Sequence, residues 1–365
     1  MSEGFRPTWV EVDLEAIRHN ARVLKPDSAA LMAVVKANAY GHGDVEVARA
    51  AIDAGASCVG VALVEEGLKL RADGIEVPIL VLSELPEDSE GVALAHRLTP
   101  TLYSEAALER VAAAARGSVP VHVKVDTGMH RVGVWPPEET PGFARRVQEA
   151  GLEVEGLFTH LARSEDDEVT TKEQLARFLE AADAVRAAGV SPRLLHAANS
   201  GATILHPESH LDLVRPGIAL YGIEPAPGVG AHLGLRPALT WRSRVSAVKR
   251  LAAGEAVSYG HRYRLERAAW MATVPVGYAD GYPRQLTNLG TVLIGGRGHR
   301  VAGTVTMDQL VVDCGDTEVR IGEEVVLIGS QGGESIAADA LGRLFGTIGY
   351  EIVSRIGERV PRRYL

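Results

Sequence analysis

The stretch Ala29–Asp44, AALMAVVKANAYGHGD, decides how this chain is read. Its first seven residues are apolar, rich in strand formers and too short for a membrane span, so they predict a buried strand. Lys36 stands where that strand ends. An ammonium group is costly to bury, so this lysine either reaches for water or is held at a site. The tail of Asn38, Tyr40, Gly41, His42 and Gly43 favours the site, because it puts polar and backbone-permissive residues at the strand's carboxyl end. In barrels of alternating strands and helices, that end carries the chemistry. A lysine desolvated there has a lowered pKa and acts as an amine nucleophile toward a carbonyl substrate or pyridoxal phosphate.

Outward from this strand the chain alternates. Asp13 is placed to cap a preceding helix, with Leu14, Ile17, Ala21 and Leu24 on one face. Apolar runs recur at Cys58–Leu63, Val77–Leu82, Leu98–Tyr103, Val119–Val125, Val154–His160, Leu194–Ala197 and Leu211–Val214. Helical stretches such as Ser104–Arg116 and Thr170–Ala188 separate most of them. About eight strand–helix units predict an α/β fold, a closed (β/α)8 barrel of the TIM type. An open doubly wound sheet is the rival, weakened because no Gly-x-Gly-x-x-Gly follows an early strand. Past Tyr221 a turn-rich linker, GIEPAPGVGAHLGLRP, leads into Val-, Thr- and Ile-rich runs punctuated by glycine, which predict a mostly-β second domain. The expected organisation is an N-terminal strand segment over 1–12, the barrel over 13–235 and the β domain over 236–365. Ala337–Ile356, with helical spacing broken by glycines, reads as mixed.

The 365 residues suffice for two cores, and 38 basic against 47 acidic residues give a net charge of -9. No basic run stands out, which argues against nucleic acid or an anionic membrane as partner. Cys58 and Cys314 lie far apart without metal-ligand spacing, so neither a disulfide framework nor a metal site is expected. The N-terminus lacks a basic region followed by an apolar one, and the expectation is a cytoplasmic protein.

Several polar residues fall where barrel strands end. HVKVDTGMHRVG places Lys124 and Asp126 on one strand face and delivers Arg131 just beyond. Arg131 suits a carboxylate, although a solvated loop arginine reads the same. His160 ends GLFTH, where a hydrogen-bonded structural histidine is the common outcome. Asn199, Ser200 and Gly201 open a short apolar stretch whose exposed amides would suit a phosphate. Arg215, Gly217 and Ile218 follow the last barrel strand, where barrels often build a phosphate site. In the β domain Tyr259, Tyr278, Asp280, Met307, Asp308 and Tyr350 are candidates, each equally readable as a packed tyrosine or a turn residue. A tyrosine, with a pKa of about 10, becomes a base at neutral pH only in a positive environment.

In this order the segments AVVKANAYGHG, HVKVDTGMHRVG, FTH, NSG, VRPGIALYG, VSYG, VGYADGYPR, VTMDQ and TIGYE resemble the alanine racemase family over nearly the whole chain. The resemblance implies a barrel binding pyridoxal 5'-phosphate, a β domain that the strand around Trp9–Val12 joins, and a homodimer with shared sites. It implies Lys36 as the lysine that bonds the cofactor and as the base for D-alanine, and the partner's Tyr259 as the base for L-alanine. Tyr40, Ser200, Gly217, Ile218 and Tyr350 match residues that grip the phosphate, with Asn199 near them. Arg215 matches the arginine facing the pyridine nitrogen, with His160 behind it. A fixed positive charge there weakens the electron sink and favours reprotonation over side reactions. Arg131, with the partner's Met307 and Asp308, would bind the substrate carboxylate. Lys124 falls where the family often carries a carbamylated lysine, whose charge would orient Arg131. Tyr278 and Glu165 would line the access corridor. Two departures appear there: Thr304 stands where an arginine is frequent, and Glu165 where aspartate is expected, with Arg163 a candidate to restore the charge.

A decarboxylase of similar build would set an acidic residue against the pyridine nitrogen, and Arg215 has the wrong charge for it. A non-enzymatic pyridoxal-phosphate carrier would end near Tyr221. A broader-specificity racemase stays open, although Tyr259 and Tyr350 should narrow the pocket toward a methyl side chain. The expected function is alanine racemisation supplying D-alanine for peptidoglycan.

Overall fold

The structure is a computed structural model that describes residues 5–365; residues 1–4, the start of the expected N-terminal segment, lie outside the described residues. The chain folds as two units, one of Ala16–Ala39 with Asp44–Arg236, the other of Tyr40–Gly43, Pro237–Leu365 and the residues up to Glu15.

The chain runs through β1 (Thr8–Val12), α1 (Leu14–Leu24), β2 (Ala30–Val34), a short turn α2 (Lys36–Tyr40), α3 (Asp44–Asp53), β3 (Cys58–Val61), α4 (Val64–Ala72) and β4 (Ile79–Val81). It continues through α5 (Glu90–Ala95), β5 (Leu98–Thr99), β6 (Thr101–Leu102), α6 (Glu105–Ala114), β7 (Pro120–Lys124) and α7 (Thr140–Glu149). Then come β8 (Glu153–Phe158), α8 (Glu168–Ala187), β9 (Leu194–His196), α9 (Ser200–Leu205) and β10 (Leu213–Val214). β2 to β10 form the barrel that the alternation predicts. Parallel pairing runs from β10 through β2, β3 and β4 to β5, and from β6 through β7 and β8 to β9. β5 and β6 are one barrel position interrupted at Pro100, which has no N–H to give a ladder. The ring closes where the Asp212 amide donates to Leu195 O and the Arg215 amide to Ala198 O, each at 3.0 Å.

Burial follows the sequence pattern. Leu31, Met32, Ile79, Leu98, Leu102 and Phe158 are fully buried, as strands enclosed on both faces require. α1 turns Ile17, Ala21 and Leu24 inward, while Leu14 at its start is only half-buried. One irregularity matters for the site. Between β7 and β8, Val121 pairs with Val154 but His122 pairs with Gly156, so Glu155 is an extra residue in β8. Such a bulge breaks the alternation and re-aims a side chain.

The other unit is built on β1, β11 (Leu239–Arg244), β12 (Ala247–Leu251), β13 (Ala256–Val257), β14 (Tyr263–Arg264), β15 (Ala269–Val274) and β16 (Thr291–Ile294). It also holds β17 (Arg297–Val301), β18 (Leu310–Gly315), β19 (Glu324–Gln331), β20 (Glu334–Ile336) and β21 (Arg362–Tyr364). The main sheet has the order β12-β15-β18-β17-β16-β19-β11-β1-β21, with β20 attached to β19. β1 pairs through Val10 with Trp241 on one side and Arg362 on the other. The stretch with mixed patterning holds two short helices, α10 (Ala338–Arg343) and α11 (Gly349–Ser354). No helix among the described residues is long and apolar enough to cross a membrane.

Candidate active site

Lys36 leaves β2 at its carboxyl end and enters a turn of the wrong hand. Ala37 (φ 52, ψ 50), Asn38 (φ 53, ψ 48) and Ala39 (φ 51, ψ 52) are left-handed, and Tyr40 continues with φ 51. Each such L-residue costs roughly 1–2 kcal/mol, so the surroundings must hold the turn. The Ala39 amide donates to Val35 O at 2.8 Å, and the Ala37 amide to Glu66 Oε1 at 2.6 Å. Oε2 of the same carboxylate accepts from the Ala62 and Leu63 amides at the start of α4. Nothing in the sequence ANAY announces this turn; Asn38 alone tolerates the conformation readily.

The mouth of the barrel is strongly cationic. Burial lowers the Lys36 pKa and the Arg131 charge lowers it further, while Glu66 opposes both. Lys124, buried at 6% exposure, is pushed down to about 8 by burial and then by Arg131, Arg215 and Lys36. His160 is held well below its ordinary value by burial and by the same four cations. Lys36, Lys124, Arg131, His160 and Arg215 are therefore brought together. Asp126 shapes the loop that delivers the exposed Arg131: its Oδ1 accepts the amides of Gly128 at 2.9 Å and His130 at 3.0 Å.

Arg215 is buried, and its hydrogen bonds correct one expectation. Nη1 donates to His196 Nδ1 at 2.8 Å, while Nη2 donates to Thr159 O at 2.7 Å and Ala197 O at 3.1 Å. The histidine behind Arg215 is thus His196, not His160. His196 lies within β9 and points at its neighbours across the barrel, whereas His160 follows the end of β8. His196 stacks on Phe158, with ring centroids 4.7 Å apart and planes 4° apart, and its Nε2 meets His122 Nδ1 at 2.8 Å. The signal for His122 was present: it sits two residues before Lys124, on the same strand face.

Beyond β9, Asn199 caps α9, its Oδ1 accepting from the Ala202 amide at 3.0 Å and from Ser164 Oγ at 2.7 Å. Ser200 Oγ accepts from the Gly217 amide at 2.9 Å and the Ala219 amide at 3.3 Å, so Ser200, Gly217 and buried Ile218 converge. The Ser200 hydroxyl already satisfies both amides, so a phosphate would have to replace it as their acceptor. Glu165 packs on the same element. A Cβ at Gly201 would lie 2.7 Å from its Oε1, and burial raises its pKa. Arg163 is exposed and engaged with Asp166 and Asp167, both at 2.9 Å.

The other unit gathers its candidates on one surface. Tyr259, Tyr278, Met307 and Asp308 line a cavity of about 540 Å³, with Tyr259 76% and Met307 53% exposed. Thr304 supports the tyrosine, its Oγ1 donating to Tyr259 O at 2.7 Å. The Tyr278 and Ala279 amides donate to Thr306 O and Met307 O, both at 3.0 Å. Only glycine fits at 277, because a Cβ there would lie 2.3 Å from both acceptor carbonyls. Arg359, which the sequence did not single out, holds Asp308 Oδ1 at 2.7 Å. In the same unit the rings of Tyr40 and Tyr350 have centroids 6.2 Å apart.

A closed parallel barrel presenting a desolvated lysine among guanidinium groups at its mouth fits a class of barrel enzymes that work through a lysine-bound carbonyl cofactor. The comparisons narrow the class. The family model for the N-terminal domain of alanine racemase matches residues 12–225 and that for the C-terminal domain matches residues 238–364. The chain belongs to the alanine racemase family, whose cofactor is pyridoxal 5'-phosphate. It is 51% identical to an alanine racemase of Symbiobacterium thermophilum, covering 99% of this chain and 98% of that one. It is 45% identical to one of Frankia casuarinae, covering 97% and 95%. Among solved structures, alanine racemase from Streptomyces lavendulae matches with a TM-score of 0.94 at 41% identity, covering 100% and 98%. Alanine racemase from Bacillus anthracis, with bound L-Ala-P, matches with a TM-score of 0.95 at 37% identity, covering 100% and 96%.

Proposed function

We propose that this chain interconverts L-alanine and D-alanine with pyridoxal 5'-phosphate, as a cytoplasmic homodimer with shared sites, supplying D-alanine for peptidoglycan. The observation that carries the reading is Lys36, an amine with a lowered pKa at the mouth of the barrel, surrounded by positive charge. Pyridoxal phosphate, when bound, supplies an electron-withdrawing ring that makes the α-proton of an attached amino acid removable. Lys36 Nζ would hold the cofactor and would be the base for the α-proton of D-alanine. The phenolic oxygen of Tyr259, from a second copy, takes the α-proton of L-alanine on the opposite face. Whichever base has not abstracted returns a proton, and that inverts the centre. The exposure of Tyr259 suits a group that serves another chain.

Arg131 binds the substrate carboxylate, helped by Met307 and Asp308 of the second copy. Ser200, Gly217 and Ile218 would hold the phosphate, its oxygen replacing Ser200 Oγ as acceptor of the Gly217 amide, with Asn199 fixing the start of α9 and the phenols of Tyr40 and Tyr350 as further donors. His160 would contact the cofactor as a neutral imidazole. Arg215 would present a positive charge to the ring nitrogen, which would limit the electron sink. Lys124, pushed down to about 8, has enough free amine to add carbon dioxide as a carbamate that orients Arg131. Tyr278 and Glu165 line the access corridor.

The test is absorbance of the purified protein with a chiral assay on L-alanine, beside Lys36→Ala, Tyr259→Phe and Lys124→Gln. Expected are the absorbance of a lysine-bound cofactor lost only in Lys36→Ala, racemisation lost in Lys36→Ala and Tyr259→Phe, a dimer by sedimentation, and a labelled carbamate signal absent from Lys124→Gln. The cofactor absorbance without racemisation would overturn the function.

A further inference from the structure

Arg215, His196, His122 and Glu155 form a line through the barrel, from its carboxyl mouth to a cavity of about 290 Å³ lined by Met32, Cys58, Leu80, Leu213, Glu155 and Arg193. Donor and acceptor roles along that line are not free. A guanidinium only donates, so His196 Nδ1 must accept and its proton sits on Nε2. That proton is donated to His122 Nδ1, which places the His122 proton on Nε2. The Nε2 edge faces Glu155 Oε2 at 3.6 Å, long for a hydrogen bond but near enough for the carboxylate to favour a proton there. A carboxylate only accepts, so both ends impose the same direction.

Packing keeps the rings from escaping it. His122 and His196 are buried, Phe158 stacks on His196, and a Cβ at Gly156 would lie 2.4 Å from His122 Nδ1. Burial holds both histidines below their ordinary pKa, hence neutral. Glu155 reaches His122 because it is the extra residue of the β8 bulge. Its other oxygen is bound by Arg193.

We propose that Glu155, at the amino end of the barrel, is a positioning residue for Arg215: through His122 and His196 it fixes the direction of the hydrogen bonds that hold the guanidinium. The proposal rests on Arg215 facing the cofactor ring. It makes an unusual demand of Glu155→Gln. Arg193, which can only donate, claims the single amide oxygen, so the amide NH2 turns to His122 Nε2. His122 must then carry its proton on Nδ1, against the Nε2 proton of His196. Either that clash stands or His196 also switches and confronts Arg215. Adding Arg193→Leu frees the oxygen and restores the original direction.

The experiment is nitrogen NMR of selectively labelled histidine rings in the cofactor-loaded enzyme, with alanine kinetics on the same samples. In the wild type, His196 Nδ1 and His122 Nδ1 should both read as unprotonated. Glu155→Gln should move the proton onto His122 Nδ1 and lower kcat about tenfold, the scale of one unmade buried hydrogen bond, with KM unchanged. Arg193→Leu alone should change neither, and Glu155→Gln with Arg193→Leu should regain both the wild-type tautomers and kcat. A wild-type His196 protonated on Nδ1, a Glu155→Gln variant with unaltered tautomers, or a double variant that fails to recover would overturn the proposal. If the tautomers behave as stated but no racemisation is found in the wild type, the functional reading fails and the relay stands.

Discussion

Replacing Gly156 by alanine tests how tightly the barrel interior is specified. The added Cβ would lie 2.4 Å from His122 Nδ1, 2.5 Å from Cε1 and 2.8 Å from Cγ, well inside contact distance. The His122 ring is 3% exposed and is pinned to His196, so it can retreat only toward the cavity it lines at the amino end, and only by giving up that hydrogen bond. Forcing a methyl into a packed interior costs about 1–3 kcal/mol. Pushing His122 off His196 leaves buried donors unmet, about another 1–3 kcal/mol. The sum is centred on about 4 kcal/mol, and with a urea slope of about 3 kcal/mol/M the unfolding midpoint should fall by about 1 M. Circular dichroism in urea reads this directly. His122→Ala with Gly156→Ala should recover the steric part, because the ring that the methyl strikes is gone, and leave the lost hydrogen bonds and the space the ring vacates. A Gly156→Ala protein with an unchanged midpoint would refute this account of why glycine stands there.

Two further outcomes follow from the same geometry. His122, His160 and His196 are neutral in the fold, with pKa values held below the unfolded value of about 6.5. On acidification the unfolded chain therefore takes up their protons first, and stability falls as pH drops below about 6.5, by up to roughly 4 kcal/mol per pH unit for the three together. Urea midpoints equal at neutral pH and one unit below that threshold would contradict it. Thr304→Val removes the hydroxyl that holds Tyr259 O, worth about 1 kcal/mol, so kcat should fall by about fivefold with cofactor absorbance unchanged. An unaltered kcat would show that the turn carrying Tyr259 does not need Thr304.

The sequence by itself determined the strands and their order. Runs such as ALMAV and ILV are apolar, bounded by turn residues and repeated with helices between them, and local chemistry of that kind survives without tertiary knowledge. It also marked Lys36, Arg131, Ser200, Gly217 and Arg215, because each falls just past a strand end, where a barrel must expose its mouth. The surface grouping of Tyr259, Tyr278, Met307 and Asp308 was legible only through their motifs, since no periodicity connects positions so far apart. Tertiary structure alone decided the rest. The left-handed run Ala37–Tyr40 goes against the preference of its own residues and is tied at Ala37 by Glu66 from another helix. His196 rather than His160 backs Arg215, because the facing of a side chain depends on where its strand stops. Glu155 meets His122 through a one-residue bulge, a register choice made between two strands and written in neither.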